Sequence, residues 1–390
     1  MNFAKQRVLS TLNHEEPDRV PLFEVGIDSA PVLEKYGGRS MGDLINALKI
    51  LRFIIGGHKL FGYISNKPYF IKKAVKSALG MFKRIGYDLV SVPCAGLFTK
   101  YKFPKWNCYV EEYGKRYKFA KIMSGDKELN IPYYEGGYFD TEDPAAAYEK
   151  WGPLDPDHPA RRGAYEGAIE AVGDEMIVFP SVLGPFETTW QAFGFNTFVR
   201  LLYQKPSFIE RVFKDRGDFI VAVAENMMNL GAEGIFMLDD LGHKTGPLLS
   251  PIYFRKYIVP ELKRLAAKVH SYNGKVILHS DGNLYPILDD IINAGIDALN
   301  PWESTANMDI FKAKEDYGEK ISLIGNVPVE LLSHGTLQDV EDYAKKLIRI
   351  CAPGGGYIFS ATNLTYSVTL PNYEKMIETA KKCGTYPINL

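Results

Sequence analysis

No stretch of this 390-residue chain has the run of roughly 18 apolar residues that a membrane-crossing helix needs; its most apolar runs are strand-sized. Cysteine is scarce. Cys94, Cys108, Cys351 and Cys383 are scattered and form neither a CxxC zinc pattern nor a dense disulfide framework, so a reducing cytoplasm is the expected compartment. The opening Met1-Asn2-Phe3-Ala4-Lys5-Gln6-Arg7 lacks the apolar region of a signal peptide, which agrees with that expectation. An excess of charge is missing too: 46 basic residues stand against 47 acidic ones, so neither a nucleic acid nor an anionic membrane is expected as a partner. No GxGxxG follows a strand candidate, which disfavours a dinucleotide-binding Rossmann unit. Gly354-Gly355-Gly356 precedes a strand candidate, the wrong place for a phosphate-cradling loop.

What is present is an apolar fraction of 46%, which suits a globular protein with a large core. Beyond residue 175, short β-favouring runs alternate with amphipathic stretches. Strands are predicted at 176–182, 234–238, 275–279, 296–300, 321–324 and 356–360, and earlier ones at 20–25 and 87–92 bring the count to eight. Helices are predicted between them at 207–229, 251–273, 285–294, 309–317 and 337–351. A closing helix follows at 372–383, a short one opens the chain at 3–13, and helical segments fill most of 41–85. This alternation predicts an α/β fold, a (β/α)8 TIM barrel spanning residues 1–390 as one domain, rather than an open doubly wound sheet. Residues 98–150 differ, alternating aromatic and polar residues with glycines and charges between. They predict an antiparallel β insertion near the barrel mouth.

In such barrels the chemistry sits where strands give way to helices. The stretch Gly274-Lys275-Val276-Ile277-Leu278-His279-Ser280-Asp281-Gly282-Asn283 is a strand that delivers His279 and Asp281 at its carboxyl end, then breaks. These two are candidates for metal binding or proton transfer; the plainer alternative is a histidine bonded to a neighbouring strand and an aspartate capping a helix. Asp239-Asp240 closes the apolar run Ile235-Phe236-Met237-Leu238, and adjacent strand residues point to opposite faces. One of the pair should therefore face the cavity while the other orients backbone or a helix start. Glu24, Asp28, Cys94, Glu187, His243, Trp302, Glu303, Asn326, Asn363 and Tyr366 complete the predicted rim. Glu187 reads as a helix cap or a cavity carboxylate, His243 as a solvent-facing loop residue, and Cys94 as a small buried one. The candidate site is thus Asp239, Asp240 and His279 for catalysis, Glu187, Trp302, Asn326 and Tyr366 for substrate, and His279 with Asp281 for metal. Tyr101, Phe103, Trp106, Tyr109, Trp190 and Phe193 are further candidates to line a cavity or docking surface.

Several of these motifs resemble the uroporphyrinogen decarboxylase superfamily. They are the opening from Arg7 to Pro21, Asp239-Asp240-Leu241-Gly242, Gly246-Pro247-Leu248-Leu249-Ser250-Pro251, Leu278-His279-Ser280-Asp281-Gly282-Asn283 and Ile324-Gly325-Asn326-Val327. The resemblance implies a (β/α)8 barrel. True uroporphyrinogen decarboxylases carry an arginine-rich segment, of the type Met-Arg-Gln-Ala-Gly-Arg-Tyr, whose arginines hold the substrate's carboxylates. Here Phe23-Glu24-Val25-Gly26-Ile27-Asp28-Ser29 stands in its place without an arginine, and an acidic rim repels a polycarboxylate.

The chain is nearer to the branch of methyltransferases that exchange methyl groups between a corrinoid protein and a small substrate. Their thiol-methylating members bind zinc through His-x-Cys after the fifth strand and a distant cysteine near the eighth. This chain has His279-Ser280-Asp281 and Asn363 at those places, so the histidine is kept and the thiolates give way to oxygen donors. Zinc tolerates carboxylates, and a harder site of this kind suits Lewis-acid activation of a methoxy or methylamine donor, as in O-demethylation. No Asp-x-His-x-x-Gly corrinoid loop occurs, so cobalamin is expected on a separate partner protein. The partners implied are that corrinoid protein and a small methyl donor, with a homodimer left open. Two alternatives stand beside this reading. A decarboxylase or other lyase acting on a smaller acid would show basic residues facing the cavity; a non-catalytic binding protein would show no converging carboxylates.

Overall fold

The computed structural model describes residues 3–37, 66–97, 99–105 and 108–390. Strands follow the chain as β1 (Leu89–Pro93), β2 (Lys102–Lys105), β3 (Cys108–Val110), β4 (Lys115–Ser124), β5 (Lys127–Gly137), β6 (Ile177–Leu183) and β7 (Gly234–Leu238). They continue as β8 (Gly242–His243), β9 (Gly246–Pro247), β10 (Lys275–His279), β11 (Ala298–Asn300), β12 (Ser322–Val327) and β13 (Tyr357–Ala361). Seven of them form one curled, all-parallel sheet in the order β1-β6-β7-β10-β11-β12-β13. Single parallel bridges at Leu22 to Phe359 and at Phe23 to Leu89 link residues 22–23 to both of its edge strands.

Burial on both faces explains the near-continuous apolar strands, and the two faces divide with the pleat. Phe23, Leu89, Ile177, Phe179, Phe236, Ile277, Ala298, Ile324 and Ile358 form an inner cluster, joined by Val8 and Leu12 of the helix Phe3–Leu12. The alternate residues, such as Val178, Ile235, Val276, Leu299 and Leu323, join the larger outer core beneath the helices. Helices Pro159–Val172, Pro206–Asn229, Val259–His270 and Leu337–Cys351 cover that outer face. The inner side therefore fills with hydrocarbon along the strands, and their carboxyl ends carry the polar residues that follow.

Three sequence expectations need correction. A regular strand at 20–25 does not form. Asp88 Oδ2 accepts the Leu22 amide at 2.9 Å and Glu24 Oε1 accepts the Ala361 amide at 2.6 Å. Side-chain carboxylates thus take ladder positions that backbone would otherwise fill, and Pro21 has no N–H to give. The single helix at 251–273 is two, Pro251–Tyr257 and Val259–His270, because Pro260 interrupts the hydrogen-bond ladder. The stretch 285–294 opens as a 3-10 turn, Tyr285–Ile287 with Pro286 inside it, before Leu288–Asn293. Pro68–Ile85 is a helix, whereas the part of 41–85 up to residue 65 lies outside the described residues.

The strands β2 to β5 make a separate four-stranded antiparallel sheet, with β4 and β5 paired from Lys115↔Gly137 to Ser124↔Lys127. It docks on the helix Pro185–Phe193, which follows β6: Tyr134 Oη donates to the Gln191 carbonyl at 2.9 Å and the Phe139 amide to Ala192 at 2.9 Å. A side chain at Gly137 would come within 2.2 Å of the Ala192 carbonyl oxygen, so only glycine permits this approach. That docking lays the antiparallel sheet beside the carboxyl end of β6.

Candidate metal centre

Strand periodicity places the site. His279 follows Ile277, and Asn300 follows Ala298, so both continue inward-facing rows. Asp240 likewise continues the row of Phe236 and Leu238, while Asp239 turns to the other face. The two aspartates divide accordingly. Asp239 is fully buried, and its oxygens accept the Phe186 amide at 3.2 Å and the Glu187 amide at 2.6 Å. It caps the helix Pro185–Phe193, where a carboxylate meets the positive end of the peptide dipoles. Burial raises its pKa, and those two amides pull the other way.

Asp240, His279 and Asp281 converge: one ligand-capable atom from each lies within 4.8 Å of the others, the one such metal-capable group found among the described residues. His279 Nε2 is 4.0 Å from Asp240 Oδ1, and Asp240 Oδ1 also accepts the Asp281 amide at 3.1 Å. The other ring nitrogen, Nδ1, lies 2.6 Å from Asn300 Oδ1, and Asn300 Nδ2 points at the Ile324 carbonyl at 3.4 Å. Because the Asn300 amide gives its N–H to a carbonyl, its oxygen must accept from Nδ1–H, which leaves the Nε2 lone pair for the cluster. Asn363 Nδ2 donates to Asp281 Oδ1 at 3.4 Å, and Glu303 Oε2 accepts the Gly282 amide at 2.8 Å, pinning the turn beyond Asp281. Burial pushes the Asp240 carboxyl up to about 6, with His279 acting downward and Glu187 and Asp281 upward. Burial raises Asp281 as well, opposed by His279 and seconded by Glu303. One imidazole nitrogen and two carboxylates, with the imidazole fixed from behind, form a donor set that zinc accepts.

The other sequence candidates spread around this centre. Glu187 sits in the first turn of its helix, with Oε1 3.4 Å from Lys115 Nζ, a lysine supplied by β4 and only 3% exposed at its side chain. Asn326 is buried, donating to the Trp302 carbonyl at 2.6 Å and accepting from Tyr343 Oη at 3.2 Å. Trp302 is buried too, its indole N–H held by the Leu299 carbonyl at 3.0 Å, whereas Tyr366 is 47% exposed. Glu24 is buried with its pKa raised by desolvation, and Cys94 is a buried thiol pushed up to about 12 for the same reason. His243 is exposed on β8. Tyr109 stacks on Tyr117, Trp190 meets Tyr134 edge-on, and Phe193 is core. Tyr101 is half-buried, Trp106 lies outside the described residues, and the Phe103 side chain is likewise not described. Asn300 and Lys115 are the participants that sequence reasoning missed. Asn300 carried a readable signal, a polar residue closing an apolar strand, whereas Lys115 carried none.

The chain is 26% identical over 213 residues to the methylcobamide:CoM methyltransferase MtbA of Methanosarcina acetivorans, covering 54% of this chain and 60% of that protein. It is 23% identical over 208 residues to the uroporphyrinogen decarboxylase of Chlorobaculum tepidum, covering 50% of this chain and 57% of that one. The matches thus span about three fifths of those relatives' length. A methyltransferase structure from Methanosarcina mazei superposes with a TM-score of 0.67 at 19% identity, over 97% of this chain and 98% of the other, which shows the fold they share. The family model described as uroporphyrinogen decarboxylase (URO-D) matches residues 126–383, well over half of the sequence, and the chain belongs to that family.

Proposed function

We propose that this protein is a methyltransferase that moves a methyl group between a small methoxy- or methylamine-type donor and a corrinoid carried by a separate protein. The observation that carries the reading is the Asp240–His279–Asp281 cluster on the inner face at the carboxyl ends of β7 and β10, in a chain similar to methylcobamide:CoM methyltransferases. The bridges at Leu22 and Phe23 to both edge strands support reading the curled sheet as an eight-stranded (β/α)8 barrel, whose chemistry belongs at that end.

His279, Asp240 and Asp281 are the residues that would hold zinc. Bound there, zinc would supply a Lewis acid toward the donor's oxygen or nitrogen leaving group. Asn300 orients the imidazole and selects its tautomer, while Asn363 and the Glu303-pinned turn hold Asp281 in place. Asp239 positions the helix carrying Glu187 rather than meeting substrate, since backbone amides occupy both its oxygens. Lys115 offsets the negative charge of Glu187 beside the cluster.

Elemental analysis of untagged protein and of His279→Ala, combined with a methyl-transfer assay against a corrinoid protein and a panel of methoxy and methylamine donors, tests this. About one zinc per chain, lost in the variant, with transfer from at least one donor is the expected result. Absence of transfer across the panel overturns it. A second reading, decarboxylation of a small acid, draws on the Lys115 ammonium, a buried cation 3.4 Å from Glu187 Oε1. Release of carbon dioxide from small acids, abolished by Lys115→Met, would favour it instead.

A further inference from the structure

We infer that a second binding site, for a small monocarboxylate with an apolar or aromatic body, lies on the outer flank of the fold, away from the metal cluster. A cavity of about 440 Å³ opens between the helix Pro144–Trp151, the loop after it and the helix Pro206–Asn229. That volume falls within the range of small-molecule pockets. Tyr148, Trp151, Leu154 and Phe219 supply apolar wall, and Arg216 is its buried cation.

Arg216 is the reason to expect a ligand. Its residue is only 2% exposed, yet no carboxylate of the described residues pairs with its guanidinium. Nη2 donates to the Tyr113 carbonyl at 2.7 Å, and Nε is buried with no hydrogen-bond partner. The guanidinium also lies 5.0 Å from the Tyr113 ring centroid and 5.7 Å from that of Tyr148, which eases the charge without neutralising it. An uncompensated buried cation is costly, and a bound anion relieves the cost.

Nearby charges of both signs surround the cavity. Lys100 Nζ sits against the Trp151, Gly152 and Pro153 carbonyls, close enough to Arg216 that the repulsion contributes to lowering its pKa, after burial. Two of the three acidic residues at the mouth pair with cations, Glu149 with Arg211 and Asp218 with Lys214 and Arg264, whereas Asp215, among the described residues, accepts only from the neutral Tyr148 hydroxyl, at 3.1 Å. The neighbouring Arg161 is likewise committed to Glu112. A guanidinium that no carboxylate of the described residues pairs with matches one carboxylate in charge better than it matches a phosphate dianion. The aromatic walls call for an apolar body behind that carboxylate.

Calorimetric titration with benzoate, benzyl alcohol and phenyl phosphate tests the site, using the His279→Ala protein as well as wild type so that carboxylate binding at the metal cluster is separated out. Benzoate should bind both proteins alike, and about tenfold more tightly than benzyl alcohol, or ~1.4 kcal/mol. Phenyl phosphate should bind no better than benzoate. Arg216→Gln should erase the preference for benzoate. Ala222→Phe, at a half-exposed wall position where bulk is tolerated, should abolish binding of both, and decides the matter should the buried arginine variant not fold. Benzoate binding that vanishes in His279→Ala, survives Ala222→Phe, shows no preference over the alcohol, or is absent altogether overturns the inference. A tighter phenyl phosphate overturns the choice of carboxylate.

Discussion

Asn300 offers the sharpest test of the metal centre, because it touches the imidazole from behind and presents nothing to the cluster itself. Its oxygen lies 2.6 Å from His279 Nδ1, and Asn300 is fully buried, with His279 8% exposed. Asn300→Ala leaves a buried ring N–H without an acceptor, a loss of about 1–3 kcal/mol. The ring can escape that penalty only by rotating or by moving its proton to Nε2, and either removes the lone pair from Asp240 and Asp281. Zinc affinity should therefore fall about 10- to 100-fold, the range found when the partner behind a metal-ligating histidine is removed. Asn300→Asp keeps an acceptor and should hold zinc as tightly as wild type or more so. Competition with a chromophoric chelator at fixed pH measures all three proteins, and thermal melting confirms that each is folded. A folded Asn300→Ala protein that binds zinc within about twofold of wild type would refute the assignment of Nε2 as ligand, since the predicted loss is at least one tenfold step of ~1.4 kcal/mol.

Further outcomes follow from buried charges. Arg161 meets Glu112 through two hydrogen bonds, at 2.6 and 3.0 Å, with both side chains almost wholly buried, so Arg161→Met should cost about 3–5 kcal/mol in urea unfolding. The double variant Arg161→Met/Glu112→Leu should recover part of that loss, and a double variant worse than the sum of the singles would contradict the account. Asp239→Asn keeps one acceptor for two helix amides and should lower stability by about 1–2 kcal/mol while leaving zinc stoichiometry unchanged; zinc loss without a change in melting would contradict this helix-capping role. Burial pushes the Glu111 carboxyl up to about 7, partly opposed by Lys115. A carboxyl raised in the folded state contributes stability that is complete below its unfolded value near 4.3 and disappears as pH rises through the folded value. At most about 3.5 kcal/mol should thus be lost between about pH 4.5 and 7, and Glu111→Gln should flatten that slope in denaturant titrations at each pH.

Much of the parallel sheet was readable because its strands are short, apolar and separated by amphipathic helices; β7 and β10 match the predicted 234–238 and 275–279. The same alternation says that only one of Asp239 and Asp240 faces the cavity, since a residue step on a strand reverses the face, but not which; in the structure Asp239 accepts the amides of a helix start and Asp240 lies with His279 and Asp281. Reading failed where side chains replaced backbone. At 20–25 the carboxylates of Asp88 and Glu24, the first 66 positions away from its partner Leu22, occupy the ladder, and no local pattern announces a pairing over that separation. Lys115 failed for a related reason. It reaches Glu187 because a four-stranded sheet docks on the helix Pro185–Phe193 through the narrow approach at Gly137, a contact set by tertiary packing across 50 residues of chain or more. The inward row of a strand can be counted from sequence, whereas the partner that crosses to it from another sheet must be seen. The proposed site draws on both, since its candidate ligands lie on the counted rows and the lysine beside Glu187 arrives from outside them.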